Sequence, residues 1–220
     1  VELQLQNLGK RFNRHWIFQK INFTFQSGNA YAITGANGSG KSTLLQIVAG
    51  AMQHSEGNCT LVNAPLKGKA ERSQSSLTNT SLKPEDYYQH ISIAAPYLEL
   101  VEELTLVEFL AFHFTFKPIL PTHTIDSIIH FIGLTDAAEK QIRYYSSGMK
   151  QRVKLAQAVF SNTPIILLDE PTTNLDTKGI ELYHKLVAEY CRHRLLIICS
   201  NDEKEISFCQ KRLALDDFKK

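Results

Sequence analysis

Gly35-Ala36-Asn37-Gly38-Ser39-Gly40-Lys41-Ser42 lies between an apolar run, Ala30 to Thr34, and a run with helical spacing, Ser42 to Gly50. A strand that turns through glycines into the start of a helix can aim several backbone N–H groups at one point. The pattern GxxxxGK[ST] in that setting is a loop that cradles phosphate, with the helix N-terminus adding positive potential. Gly35, Asn37, Gly38, Ser39, Gly40, Lys41, Ser42 and Thr43 are the candidate nucleotide-binding residues. Lys41 reaches the β- and γ-phosphates, and the Ser42 hydroxyl ligates Mg²⁺. A flexible Gly-Ser turn is the bland alternative, and the flanking strand and helix weigh against it.

Patterning elsewhere supports an α/β class. Val1, Leu3 and Leu5 alternate on one face, as do Ile21, Phe23 and Phe25 before Ser27-Gly28, which predicts antiparallel strands. "NCTLVN" and "ISIAAP" read as strands, and residues 66–86, rich in Ser, Thr, Asn and Lys, read as an exposed loop or hairpin ending in a short helix. Helical segments run from Leu106 to about Phe160, broken at Pro118, Pro121 and Gly133. The last third alternates: strand "PIILLDE", helix "TKGIELYHKLVAEYCRH", strand "RLLIICS", helix "DEKEISFCQK" and strand "RLALDD". The expected architecture is one domain over 1–220. A β-rich, loop-bearing core covers about 1–95 and 162–220, and a helical subdomain covers about 96–161.

"IILLDE" ends a buried strand on Asp169 and Glu170. A carboxylate delivered there suits a metal, and its neighbour suits a general base for the water that attacks the γ-phosphorus. Asp169 is therefore a metal ligand beside Ser42, and Glu170 the base. An ordinary acidic turn after a strand is the alternative, which the phosphate loop makes the weaker one.

"YYSSGMKQRVKLAQAVF", Tyr144 to Phe160, followed by "LLDEPTTNLD", resembles the signature and following motifs of ATP-binding cassette (ABC) ATPases. The resemblance covers nearly the whole chain. It implies a P-loop NTPase of ABC type, with a parallel core sheet, an antiparallel β subdomain and an inserted helical subdomain. In that family two domains pack head to tail, and each signature turn caps the γ-phosphate held by its partner. Ser146 and Gly148 take that role by position, and "TNLD", Thr173 to Asp176, matches the loop that crosses the dimer interface. Phe12 stands where the family stacks an aromatic ring on adenine. Without the resemblance, Phe12 is a core or hairpin residue, "SSGMKQR" an ordinary capped helix, and Asp176 or Thr177 a helix cap.

Four positions depart from the family pattern. Ser147 replaces the first of two glycines in the signature, and Met149 the usual Gln. Pro96 falls where the family has a Gln touching the Mg²⁺ shell, and proline offers neither a side-chain acceptor nor an N–H. Asn201 falls where the family has a catalytic His. Asn can still hydrogen-bond the γ-phosphate, and its competing reading is an N-cap for "DEKEISF".

The formal charge of +2, from 24 basic and 22 acidic side chains, argues against a nucleic-acid partner. Cys59, Cys191, Cys199 and Cys209 form no CxxC pair and read as reduced core filler. No run is long enough to span a membrane, and no basic, apolar leader precedes Val1. The resemblance thus implies an ATPase subunit, using ATP and Mg²⁺, that pairs with a second copy. It is expected on the cytoplasmic face of the membrane, held by a separate transmembrane subunit docked near Pro96 to Thr105 through Tyr97, Leu98 and Leu100. The short lobe and the form "SSGMKQR" look more like exporter-type than importer-type subunits. A soluble ABC ATPase of protein or iron–sulfur assembly, or a regulatory module with little hydrolysis, are the alternatives.

Overall fold

A computed structural model describes residues 1–62 and 82–219. Strands β1 (Glu2–Phe12), β2 (His15–Gln26) and β4 (Glu56–Val62) form an antiparallel sheet in the order β2-β1-β4. Strands β3 (Ala30–Thr34), β5 (Ile91–Ala94), β6 (Ile165–Asp169), β7 (Leu195–Cys199) and β8 (Lys211–Ala214) form a parallel sheet in the order β5-β6-β7-β3-β8. The helices are α1 (Lys41–Val48), α2 (Leu106–Phe116), α3 (Ile125–Phe131), α4 (Ser147–Val159), α5 (Thr177–Tyr190) and α6 (Glu203–Ile206). Among the described residues, no helix is long and apolar enough to cross a membrane.

The parallel sheet explains the continuous apolar runs in the sequence. Every residue of β6 and β7 is buried, because both faces of the sheet are covered. Ile165, Leu167 and Ile197 pack with β1, β2 and α1, while Ile166, Leu168 and Ile198 pack with the helical segments on the other face. Each such side chain contributes about 1.5–3 kcal/mol on burial. The alternating faces of β1 and β2 hold as expected, with Leu3, Leu5, Ile21 and Phe25 in the same core.

Capping sets the helix starts. Thr105 with Glu108, and Thr124 with Ser127, form reciprocal capping boxes at α2 and α3. Pro118 and Pro121 follow the end of α2, and Gly133, at φ 67°, follows α3, as the sequence predicts. Cys191, Cys199 and Cys209 are buried and Cys59 is partly so. All four are free thiols.

Three expectations need correction. The helix expected over "DEKEISFCQK" is only the single turn Glu203–Ile206, because the chain must reach Lys211 in time to pair β8 with β3. The strand expected over "RLALDD" stops at Ala214, and Leu215–Phe218 curls into a 3-10 helix. Leu100, expected as an exposed docking contact, is 6% exposed and packs in the core of the helical segments, whereas Tyr97 is 40% exposed. Of the expected polar loop, residues 66–81 lie outside the described residues. The short helix at its end is present as a 3-10 helix, Pro84–Gln89. It is pinned by the Tyr87 hydroxyl, which accepts from Leu61 N and donates to Cys59 O.

Candidate functional site

The turn from β3 into α1 is a loop that glycine alone can build. Gly40 caps α1 at φ 99°, and a Cβ there would stand 2.3 Å from Ile17 Cγ2. At Gly35, φ 149°, a Cβ would meet Ser39 Oγ at 2.6 Å. The backbone therefore approaches its neighbours closer than any other residue allows. Inside the loop, Lys41 is 7% exposed, and its ammonium donates to Gly35 O at 2.7 Å and to Ala36 O at 3.4 Å. Ser39 Oγ is buried and has no hydrogen-bond partner among the described residues.

Two neighbouring strand ends deliver carboxylate and amide to this loop. Asp169, 2% exposed, ends β6. Burial pushes its carboxyl above its ordinary value, against the pull of the hydrogen-bonded Ser42 hydroxyl and of Lys41, while Glu170 and Glu205 add to the rise. A buried carboxylate bonded to a hydroxyl at a helix start is a hard-oxygen donor pair that fits Mg²⁺. Glu170 follows in the left-handed region at φ 45°, its N–H bonded to Cys199 O at 2.9 Å. A glutamate held at such a φ is strained and needs its surroundings to keep it there.

Glu170 shares a cleft of about 330 Å³ with Ile17, Asn37, Gly38, Gly40, Lys41, Ser42 and Thr43. Phe12 does not line it. That ring stands 47% exposed at the end of β1, with Lys10 Nζ 4.8 Å from its centroid, and β2 of the same hairpin supplies Ile17.

Asn201, just past β7, spends both ends of its amide on one residue of the loop, gripping the peptide on either side of Gly35. Oδ1 accepts from Gly35 N at 3.0 Å, and Nδ2 donates to Gly35 O at 2.8 Å. The N-cap of α6 is Asp202, whose Oδ1 accepts from Lys204 N, so Asn201 is not the cap. A second support was not visible in the sequence. Asp216, on the 3-10 helix after β8, accepts from Ala36 N at 3.0 Å, a bond that holds its carboxyl below its ordinary value.

Ser146, Gly148 and Asp176 come together elsewhere. They line a separate hollow of about 490 Å³, with Ser147, Met149, Arg152 and Asn174 among its walls. Ser146 caps α4 by accepting from Met149 N, and Asp176 caps α5 by accepting from Gly179 N, so both cap readings hold. Arg152 bridges the two, at 3.3 Å from Asp176 Oδ1. Beside this hollow, Lys154 of α4 donates to Pro96 O at 3.1 Å, which fixes the segment where the sequence lacks a Gln.

A protein-family model described as "ABC transporter" matches residues 18–173. The chain is 32% identical to the "Putative hemin import ATP-binding protein HrtA" of Staphylococcus aureus (strain Newman), over 100% of this chain and 97% of that one. It is 27% identical to the "Uncharacterized ABC transporter ATP-binding protein YybJ" of Bacillus subtilis (strain 168), over 97% and 92%. Two solved structures share the fold at 19% identity. A putative ABC transporter ATP-binding protein from Pyrococcus furiosus matches over 100% of both chains with a TM-score of 0.78. An ATP-bound bacterial Atm1-family ABC exporter matches 99% of this chain and 38% of its own, with a TM-score of 0.79.

Proposed function

The chain belongs to the ABC transporter family as an ATP-binding subunit, and from that premise we propose that it hydrolyses ATP to drive substrate through a separate membrane subunit. The observation that carries the proposal is the cleft in which the phosphate loop and Glu170 face each other. The loop amides and Lys41 bind the phosphates, and Glu170 accepts the proton of the attacking water as the bond from γ-phosphorus to ADP breaks. Ser42 and Asp169 would hold Mg²⁺, which would supply positive charge against the phosphates. Gly35 O has two donors, Lys41 and Asn201. The Lys41 ammonium has three N–H donors, so it can add a bond to a phosphate while it and Asn201 together hold Gly35 O.

Ser146 and Gly148 line a hollow apart from the cleft, which supports a head-to-tail pair of copies, each signature turn closing on the other's phosphate loop. Residues 96–161 act as the helical subdomain that carries that turn, and Phe12 stacks on the adenine at the hairpin end. The short helical lobe favours export, and the import name of the staphylococcal relative stands against it. Hemin, named in that relative, is the first cargo to test.

The proposal is tested by isolating the tagged chain from detergent-solubilised membranes of its own cells. A membrane protein with several spans should accompany it, and ATP hydrolysis should be stimulated by its cargo. A soluble partner in its place would favour the assembly reading.

Asn201 gives a second expected result. Asn201→Ala removes two hydrogen bonds worth about 0.5–1.5 kcal/mol each, so the loop holds phosphate less well in the ATP-bound ground state and in the transition state alike. Steady-state kinetics should show KM for ATP rising about tenfold with kcat little changed. A fall in kcat at constant KM would instead make Asn201 a contact formed only in the transition state.

A further inference from the structure

The turn that carries Glu170 is gripped from two sides. Gln151 of α4, 4% exposed, donates Nε2 to Pro171 O at 2.8 Å. From the other side Glu205 of α6, 3% exposed, accepts from both Thr172 N at 2.6 Å and Thr172 Oγ1 at 2.5 Å, on the same Oε1. Glu205 is itself held on the core, because the Tyr183 hydroxyl donates to its carbonyl at 2.7 Å and its N–H bonds Asp202 O. Four residues earlier on the same turn of chain, Asn201 grips Gly35.

We propose that residues 201–205 form a two-ended brace in which Glu205 is the positioning residue for Glu170. One end, Asn201, fixes the phosphate loop. The other, Glu205, fixes Thr172 and with it the strained backbone that sets where Glu170 points. A carboxylate is a costly way to join two buried segments, since desolvation offsets much of what its hydrogen bonds contribute, and apolar packing would hold them as well. What a carboxylate adds is direction: one oxygen fixes both the N–H and the side chain of a single residue two positions past the base. A displacement of about 1 Å at a catalytic group can cost about a hundredfold in rate, so a directional tether there acts on the chemical step. The inference rests on the assignment of Glu170 as base.

The experiment compares Glu205→Ala, Glu205→Gln and Thr172→Val by steady-state ATPase kinetics, fluorescent-nucleotide binding and thermal melting, with Glu170→Gln alongside. Glu205→Ala should lower kcat about tenfold or more, with KM for ATP and nucleotide affinity within about twofold of the parent. Glu205→Gln retains an acceptor oxygen and should recover most of the rate. Thr172→Val should lower kcat about threefold at constant KM, and it supplies the answer should Glu205→Ala fail to fold. Parent-like kcat in Thr172→Val and in any folded Glu205→Ala, or a Glu205→Gln no better than Ala, overturns the brace. If that happens while Glu170→Gln is inactive, the brace alone is wrong. If Glu170→Gln keeps its turnover, the base assignment has failed.

Discussion

Glu170→Gln is expected to lower kcat by about a thousandfold while ATP binding persists, since a positioned general base contributes about 10²–10⁴. The substitution keeps side-chain length and hydrogen-bonding shape, and it removes the oxygen that can take a proton from water. Nothing that grips the phosphates is touched: Lys41, the loop glycines and the Ser42–Asp169 pair all stay. The backbone at φ 45° tolerates Gln as it does Glu. ATP should therefore remain bound unhydrolysed, and the proposed head-to-tail pair should accumulate. Size-exclusion chromatography with Mg²⁺ and ATP should show a dimer of the variant where the parent, turning over, runs mostly as a monomer. Near-parent turnover in this variant would remove Glu170 from the role of base.

Local pattern made the framework of this site legible in the sequence. The glycine spacing of 35–40, the apolar run of β6 and the capping residues Ser146 and Asp176 each act through neighbours within a few positions, so their signals survive in the linear chain. The supports of the site were not legible, because they act across the fold. Asp216 meets Ala36 only because β8 pairs with β3 and then curls into a 3-10 turn, and no periodicity announces where that curl begins. Ile17 reaches the cleft because the missing Cβ of Gly40 makes room for it. Glu205 lies in a run that reads only as a helix, and its burial against Thr172 and Tyr183 depends on contacts more than twenty residues away. Asn201 was legible as a polar strand end, yet its partner, the single loop residue Gly35, depends on the parallel pairing of β7 with β3.

Lys41→Ala is expected to weaken ATP binding by about two to three orders of magnitude. Two charges about 4 Å apart interact with about 4 kcal/mol at a dielectric typical of protein surfaces, and the triphosphate meets that charge inside a loop closed by backbone on most sides. The lysine also staples the loop from within, so its loss leaves Gly35 O to Asn201 and removes a donor from Ala36 O. Each lost bond costs about 1 kcal/mol of loop order, an effect present before any nucleotide arrives. The two contributions separate by salt: the Coulomb part shrinks as ionic strength rises, and the staple part does not. Titration with a fluorescent ATP analogue at low and high salt should therefore show the gap between parent and variant narrowing without closing. Lys41→Arg should not restore affinity, because the planar guanidinium cannot take the place of a compact ammonium between Gly35 O and Ala36 O. Unchanged affinity in Lys41→Ala would mean that the glycine loop does not hold the phosphates, and the rest of the proposed chemistry would lose its anchor.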